Sequence, residues 1–100
     1  MNDMNEQEYI LTNNEGAQQF QIPIDGKLAL IRYTRKDDKI YLMHTEVPEA
    51  LSGRGIAGMM AEKVFRYIEE KNWILVPLCT YIQAYLKRHP EWERLLEKGD

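Results

Sequence analysis

Three glycines, Gly53, Gly55 and Gly58, stand where a strand pattern ends and a helical pattern begins. Glycine reaches backbone angles that are closed to other residues, and it lets a ligand approach main-chain N–H groups without a Cβ in the way. The first turn of a helix leaves about four N–H donors without partners and carries a partial positive charge, so a phosphate placed there satisfies both. The cluster predicts either a phosphate-binding turn or an ordinary loop that ends in a helix.

The spacing of these glycines fits Gly-x-Gly-x-x-Gly, the pattern of dinucleotide-binding loops. A doubly wound sheet cannot be built around them, because the preceding strand belongs to a series of hairpins and one long helix follows. The chain has no Gly-Lys-Ser or Gly-Lys-Thr sequence, which argues against a nucleoside-triphosphate loop.

Cys79 and His44 are further side chains with reactive chemistry. Cys79 comes just before a predicted helix N-terminus, where the helix dipole favours the thiolate and a lowered pKa. A buried, inert cysteine is the alternative. His44 can act as a general base near neutral pH, or it can be a structural histidine held by a hydrogen bond at a strand end. A single cysteine and two distant histidines leave no metal-ligand spacing.

The sequence predicts four strands before the glycine loop. Residues 9–12 are rich in strand formers, residues 18–24 and 40–47 alternate between apolar and polar, and residues 27–35 are apolar on both faces. A turn over residues 13–16 separates the first two, and the Asp25-Gly26 pair predicts a tight hairpin between the second and third. Alternation along the fourth strand predicts two faces, one with Ile40, Leu42, His44 and Glu46 and the other with Tyr41, Met43, Thr45 and Val47.

The pattern after the loop predicts a crossover back to the sheet. An apolar stripe at four-residue steps predicts a helix over 55–71 that ends at Asn72, followed by a fifth strand over 73–78 parallel to the fourth. Thr80 is the predicted cap of a second helix over 81–88, and a last helical turn surrounds Trp92 and Leu96. Ligands gather outside the carboxyl ends of parallel strands, so the glycine loop and Cys79 share that edge.

The length and the charge of the chain limit which classes of function are plausible. One hundred residues, 44% of them apolar, suffice for one two-layer domain over residues 1–100, of which we expect the first eight to be frayed and disordered. A net charge of −3 gives no broad attraction for nucleic acid. The polar N-terminus and the lack of a long apolar run predict a cytoplasmic protein without membrane contact. We expect it to be a monomer.

Several motifs resemble a known family. The run Val47-Pro48-x-x-x-Ser52-Gly53-Arg54-Gly55-Ile56-Ala57 resembles the acetyl-coenzyme A motif of the GNAT superfamily of N-acetyltransferases, which is Arg/Gln-x-x-Gly-x-Gly/Ala after a strand. Ser52 stands where that pattern has Arg or Gln. Nearly the whole chain is similar to a family of very small GNAT-like proteins through His44-Thr45-x-Val47-Pro48, Pro77-x-Cys79-x-Tyr81 and His89-Pro90-Glu91 as well.

The resemblance implies an α/β (α+β) fold, a single two-layer GNAT-like domain. Its sheet would be five-stranded and mostly antiparallel, with one parallel strand–helix–strand crossover and a C-terminal helix. Acetyl-coenzyme A would be the cosubstrate, bound between strands four and five, and the reaction would be acetyl transfer to an amine acceptor. The alternative is a coenzyme A-binding module with little or no catalysis.

The resemblance also implies site residues. The pantetheine arm would pair with main chain near Val47, and the pyrophosphate would bind N–H groups of the loop. The candidate cofactor contacts are Glu46, Val47, Ser52, Gly53, Arg54, Gly55, Ile56, Ala57, Gly58, Cys79 and Thr80. The candidate catalytic residues are Cys79, His44 and Tyr85. Tyr85 lies near where the superfamily often has a tyrosine that protonates the leaving thiolate, with plain helix packing as the alternative. Direct transfer and an acetyl-cysteine intermediate both stay open.

Overall fold

The computed structural model describes residues 9–97, and the frayed segment predicted for residues 1–8 lies outside them. The described chain forms five strands, β1 (Thr12–Asn14), β2 (Gln19–Ile24), β3 (Lys27–Lys36), β4 (Lys39–Glu46) and β5 (Ile74–Pro77). Its two α-helices are α1 (Ile56–Lys71) and α2 (Thr80–Arg88), and short 3-10 helices span Glu49–Leu51 and Pro90–Leu95.

The five strands lie in one sheet in the same order as in the sequence. Each strand from β1 to β4 pairs antiparallel with the next, whereas β4 and β5 run parallel. A parallel pair needs a long crossover, and α1 supplies it. The predicted fold class, a mostly antiparallel five-stranded sheet with one parallel crossover, is confirmed.

The turn between β2 and β3 follows from its two residues. Asp25 and Gly26 both have positive φ, 52° and 75°, as the tight hairpin turn favoured by an Asp-Gly pair requires. Ile24 and Lys27 pair directly across this turn. The predicted hairpin is confirmed.

The first strand begins later than predicted. The strand predicted at residues 9–12 lies at Thr12–Asn14, and Asn13, assigned to a turn, pairs with Phe20. Contacts with distant residues hold Asn13 in the sheet: its side chain donates to the Tyr67 hydroxyl at 3.1 Å and accepts from the Tyr33 hydroxyl at 2.6 Å. Local turn preference is weaker than this pair of hydrogen bonds together with the strand pairing.

A bulge at Met43 interrupts the pairing of β3 and β4. Arg32 lies opposite His44, but the next residue of β3, Tyr33, lies opposite Leu42. Met43 is therefore an extra residue with no partner in β3. One extra residue breaks the alternation of side chains between the two faces of a sheet.

The bulge makes the predicted faces of β4 wrong beyond Leu42. Thr45 pairs with Ile31, which is fully buried on the inner face, the face that packs against the helices. His44 and Glu46 are exposed on the other face, here called the outer face, instead of sharing the inner face with Leu42.

Helix α1 buries the apolar stripe that its spacing predicts. Its buried side chains are Ile56, Met59, Met60, Ala61, Val64, Phe65 and Ile68. They share one core with the inner face of the sheet, which contributes Phe20, Ile22, Ile24, Ala29, Ile31, Tyr33, Ile40, Leu42 and Leu75. Asn72 ends the helix in the left-handed conformation predicted for it, with a φ of 60°.

The C-terminal segment differs slightly from its prediction. Trp92 lies in the 3-10 helix Pro90–Leu95 and is buried, but Leu96 is extended and forms a parallel bridge with Leu75 in β5. Leu96 thus lies beside the sheet and not in a helical turn. Within residues 9–97, no helix has the length and apolar character needed to cross a membrane.

Candidate functional site

The strands β4 and β5 part near the middle of β4 and form a fork. β5 pairs with β4 only from Lys39 to Leu42. The main-chain N–H groups of Leu78 and Cys79 both donate to the Leu42 carbonyl, at 3.0 and 2.9 Å, so the chain turns away from β4 there. Among the described residues, the rest of β4, Met43–Glu46, has no strand partner on that side.

The glycine loop begins where β4 ends. Gly53 and Gly55 have φ angles of 81° and 72°, in the left-handed region where glycine carries no steric penalty. Gly55 caps α1, and the first helical hydrogen bond runs from the Met59 N–H to the Gly55 carbonyl at 3.1 Å. The N–H groups of the first turn, at residues 56–58, precede that bond and have no acceptor within the helix.

A cavity of about 270 Å³ lies against this loop and the first turn of α1. Seven predicted cofactor contacts line it, namely Val47, Ser52, Gly53, Gly55, Ile56, Ala57 and Gly58. Leu51 and Tyr81 complete the lining. The structure therefore brings the end of β4, the glycine loop and the start of α2 around one space.

Cys79 lies on the inner side of the fork and is 8% exposed. Its sulfur is 3.3 Å from the Thr45 hydroxyl oxygen. Burial by itself raises the pKa of the Cys79 thiol, but interactions with the Thr45 hydroxyl and with main-chain N–H groups of Ile82, Tyr81 and Thr45 outweigh it and lower the pKa below its ordinary value. The lowered pKa that the helix terminus predicts is confirmed in direction.

His44 is not beside Cys79. The bulge sends His44 to the outer face, where its Nε2 lies 3.4 Å from Oε1 of Glu46 and both side chains are more than half exposed. Thr45, on the opposite face, occupies the place next to the thiol. The structure separates the two groups across the strand.

Comparison with known proteins identifies the family. A model of GCN5-related N-acetyl-transferases matches residues 19–95, which include every strand but β1, both helices and the glycine loop. This chain belongs to the GCN5-related N-acetyltransferase family.

Relatives and a solved structure agree with this assignment. Protein NATD1 of Xenopus tropicalis is 36% identical over 76 residues, which cover 72% of this chain and 69% of that protein. Protein NATD1 of Danio rerio is 36% identical over 91 residues, covering 84% and 82%. A GCN5-like protein from Staphylococcus aureus, solved in solution by NMR, has the same fold with a TM-score of 0.70 at 22% identity, covering 92% of this chain and 91% of its own.

The remaining candidate residues of this GCN5-related chain lie outside the cavity lining. Arg54 points to the β2–β3 hairpin, where Nη1 lies 2.9 Å from Oδ2 of Asp25 and Nη2 lies 3.3 Å from the Tyr9 hydroxyl. Glu46 is on the outer face. Thr80 is exposed and is the first residue of α2; the predicted cap is wrong, because the Cys79 carbonyl accepts from the Gln83 N–H and makes Cys79 the cap.

Tyr85 belongs to the packing between helices. It is 6% exposed, its ring lies edge-on to Phe65 at 5.8 Å between centroids, and it stacks on His89 at 4.2 Å. Gly58 lies beside this packing, and a side-chain carbon there would stand 3.4 Å from the Tyr85 ring, an ordinary van der Waals distance. The contact between α1 and α2 therefore does not require a glycine, and the third glycine of the pattern is a residue of the cavity lining.

Leu51 and Tyr81 are the lining residues that the sequence-based candidates omitted. Tyr81 is the last residue of the Pro77-x-Cys79-x-Tyr81 motif, and that motif is the sequence signal that could have identified it.

Two larger cavities, of about 550 and 370 Å³, lie elsewhere: one beside the end of α1 and Leu96, the other between residues 9–11 and α1. Neither contains a residue predicted for the site.

Proposed function

We propose that this protein binds acetyl-coenzyme A in the fork between β4 and β5 and transfers the acetyl group to an amine. The observation that carries this proposal is the continuity of the fork with the cavity at the glycine loop. Val47 follows β4 directly and also lines that cavity. A ligand with a phosphate at one end and an extended arm at the other matches such a space.

The edge of β4 suits the pantetheine arm. β5 does not pair with the main chain of residues 43–46, where the Thr45 N–H faces the Cys79 sulfur. An extended chain with amide groups can pair with a free strand edge as an added strand does. The two amides of pantetheine have the chemistry to do so, which supports an orientation with the thioester near Cys79 and Thr45.

The loop suits the diphosphate. Main-chain N–H groups at the start of α1 lack helical acceptors, and the partial positive charge of a helix N-terminus favours an anion. Gly53 has no atom within 4 Å of the position that a side-chain carbon would occupy, so the loop is open to approach. Ser52, where the GNAT pattern has Arg or Gln, contributes a hydroxyl beside these groups.

Direct transfer accounts for the geometry better than an acetyl-cysteine intermediate. A cysteine nucleophile works best with a base beside it, but Thr45 occupies that position and His44 is on the outer face. In direct transfer the amine nitrogen attacks the thioester carbonyl, the carbon–sulfur bond breaks, and coenzyme A leaves as the thiolate. His44 is the proposed acceptor of the ammonium proton from the outer face. Tyr85 as proton donor stays a prediction of the resemblance, since it is packed between helices.

Binding and turnover are tested separately. Acetyl-coenzyme A at a hundred times its dissociation constant should stabilise the folded chain by about 2.7 kcal/mol, and adenine should do much less. Release of free coenzyme A over a panel of amines tests transfer. No heat of binding and no thermal shift at millimolar ligand would refute the cofactor assignment, whereas binding without turnover on any amine would favour the coenzyme A-binding module.

A further inference from the structure

Tyr81 lies at the meeting point of the two helices and the cavity. Its side chain is half-buried and lines the cavity together with the glycine loop. The hydroxyl oxygen is 3.5 Å from the point where a side-chain carbon on Gly58 would stand. The phenol therefore reaches across from α2 to the first turn of α1.

Few side chains can donate a hydrogen bond into this cavity. The lining contains main-chain groups, apolar side chains and two hydroxyls, those of Ser52 and Tyr81. Arg54, the nearest cation in the loop, is held by Asp25 instead. Among residues 9–97, no hydrogen bond engages the Tyr81 hydroxyl.

We propose that the Tyr81 hydroxyl donates a hydrogen bond to the diphosphate of coenzyme A, opposite the N–H groups at the start of α1. This inference rests on the proposed function and adds a binding residue to it. A phosphate oxygen between the first turn and the phenol would accept from both sides, and hydrogen bonds to a charged acceptor are stronger than those between neutral groups.

Tyr81 has the protonation state that the role requires. Burial raises the pKa of Tyr81, Arg88 opposes the shift and Cys79 adds to it, with a net rise. The hydroxyl therefore keeps its proton at neutral pH and acts as a donor.

Tyr41 provides a matched control in β4. It is partly exposed and does not line the cavity. Tyr81→Phe and Tyr41→Phe each remove one hydroxyl and keep the ring. A difference between them reports the position of the hydroxyl and not the loss of a tyrosine as such.

The test measures dissociation constants by calorimetry for coenzyme A, for dephospho-coenzyme A, which keeps the diphosphate, and for pantetheine, which lacks it. Tyr81→Phe should weaken coenzyme A and dephospho-coenzyme A equally, by about tenfold, because one hydrogen bond to a charged group is lost. Pantetheine should bind Tyr81→Phe and the unchanged chain alike, and Tyr41→Phe should bind all three ligands as the unchanged chain does. Thermal melts without ligand check that each variant folds.

Three results would overturn the assignment. If Tyr81→Phe and the unchanged chain bind coenzyme A with equal affinity, the Tyr81 hydroxyl makes no hydrogen bond to the diphosphate. Equal weakening of pantetheine would place the hydroxyl on the arm and not on the diphosphate. An unchanged chain that binds no coenzyme A would overturn both this assignment and the proposed function, whereas the first two results leave the proposed function intact.

Discussion

Replacing Thr45 by valine tests whether the structure explains the reactivity of Cys79. The substitution keeps the shape of the side chain and removes the hydroxyl that lies 3.3 Å from the thiol sulfur. The hydroxyl lowers the pKa of the thiol, and burial works against it. In the variant, burial still raises the pKa of Cys79, but the hydroxyl that most strongly lowers it is gone. The pKa therefore rises, and a smaller fraction of the thiol is ionised.

The size of the effect follows from the strength of the lost interaction. A hydrogen bond to a charged group contributes about 1.5 to 3 kcal/mol, and a long contact to sulfur lies at or below the lower end. About 1.4 kcal/mol corresponds to a tenfold smaller thiolate fraction at a pH below the thiol pKa. Each remaining thiolate is about threefold more nucleophilic, because nucleophilicity rises with pKa at a Brønsted slope of about 0.45. The net rate of alkylation should fall about threefold at such a pH.

The assay is the rate of iodoacetamide alkylation as a function of pH, followed by mass spectrometry. The two effects separate at high pH, where both chains are fully ionised and Thr45→Val should react about threefold faster than the unchanged chain. Thr34→Val, at an exposed position of β3, is the control and should leave the profile unchanged. Profiles of Thr45→Val and the unchanged chain that coincide over the whole range would refute the role given to Thr45.

The same interaction predicts a pH dependence of stability. The folded pKa of Cys79 is lowered, so the thiolate interaction stabilises the folded chain fully above the unfolded pKa and is lost as the pH falls through the folded pKa. The difference in melting temperature between the unchanged chain and Thr45→Val should therefore grow as the pH rises towards the unfolded thiol pKa of about 8.5. A constant difference over this range would contradict the pKa direction.

Three further predictions concern the loop and the thiol. Gly55→Val forces a β-branched residue into a φ of 72° and should abolish coenzyme A binding in a chain that circular dichroism shows to be folded; wild-type affinity would contradict the loop's role. Asp25→Asn frees Arg54 and should tighten coenzyme A binding several-fold at low salt, with the gain fading as salt is added; unchanged affinity at low salt would show that Arg54 does not contact the ligand. Cys79→Ala should retain most transfer activity, and its near-complete loss, with one added acetyl group on the unchanged chain, would instead establish an acetyl-cysteine intermediate.

Much of the fold is predictable because its signals are local. The apolar steps of α1 repeat over four turns, and the Asp25-Gly26 pair has few other ways to turn a chain. Asn72 ends α1 for a reason contained in the residue itself, its tolerance of positive φ. The glycine loop was recognisable in the same way, since Gly53 and Gly55 adopt angles that other residues avoid.

The sequence-based predictions are wrong where contacts between residues far apart in the chain determine the local structure. Asn13 reads as a turn residue, yet hydroxyls 20 and 54 positions away hold it in a strand. The bulge at Met43 depends on how β3 and β4 pair, and the residue types around Met43 do not indicate that one residue of β4 lacks a partner. Tyr81 gains its place from the contact of α2 with Gly58, which becomes visible only when both helices are packed.

The bulge at Met43 decides which side chain stands beside the thiol. In a regular strand of the same residues, alternation from Leu42 would place His44 on the inner face and Thr45 on the outer face, and an imidazole would stand beside Cys79. The extra residue shifts the alternation by one position and brings Thr45 there instead. A relative that lacks Met43 could keep the present pairing of β3 and β4, with Thr45 still beside the thiol. Relatives in which the strand keeps its length but loses the bulge are therefore the ones in which a cysteine–histidine pair is expected.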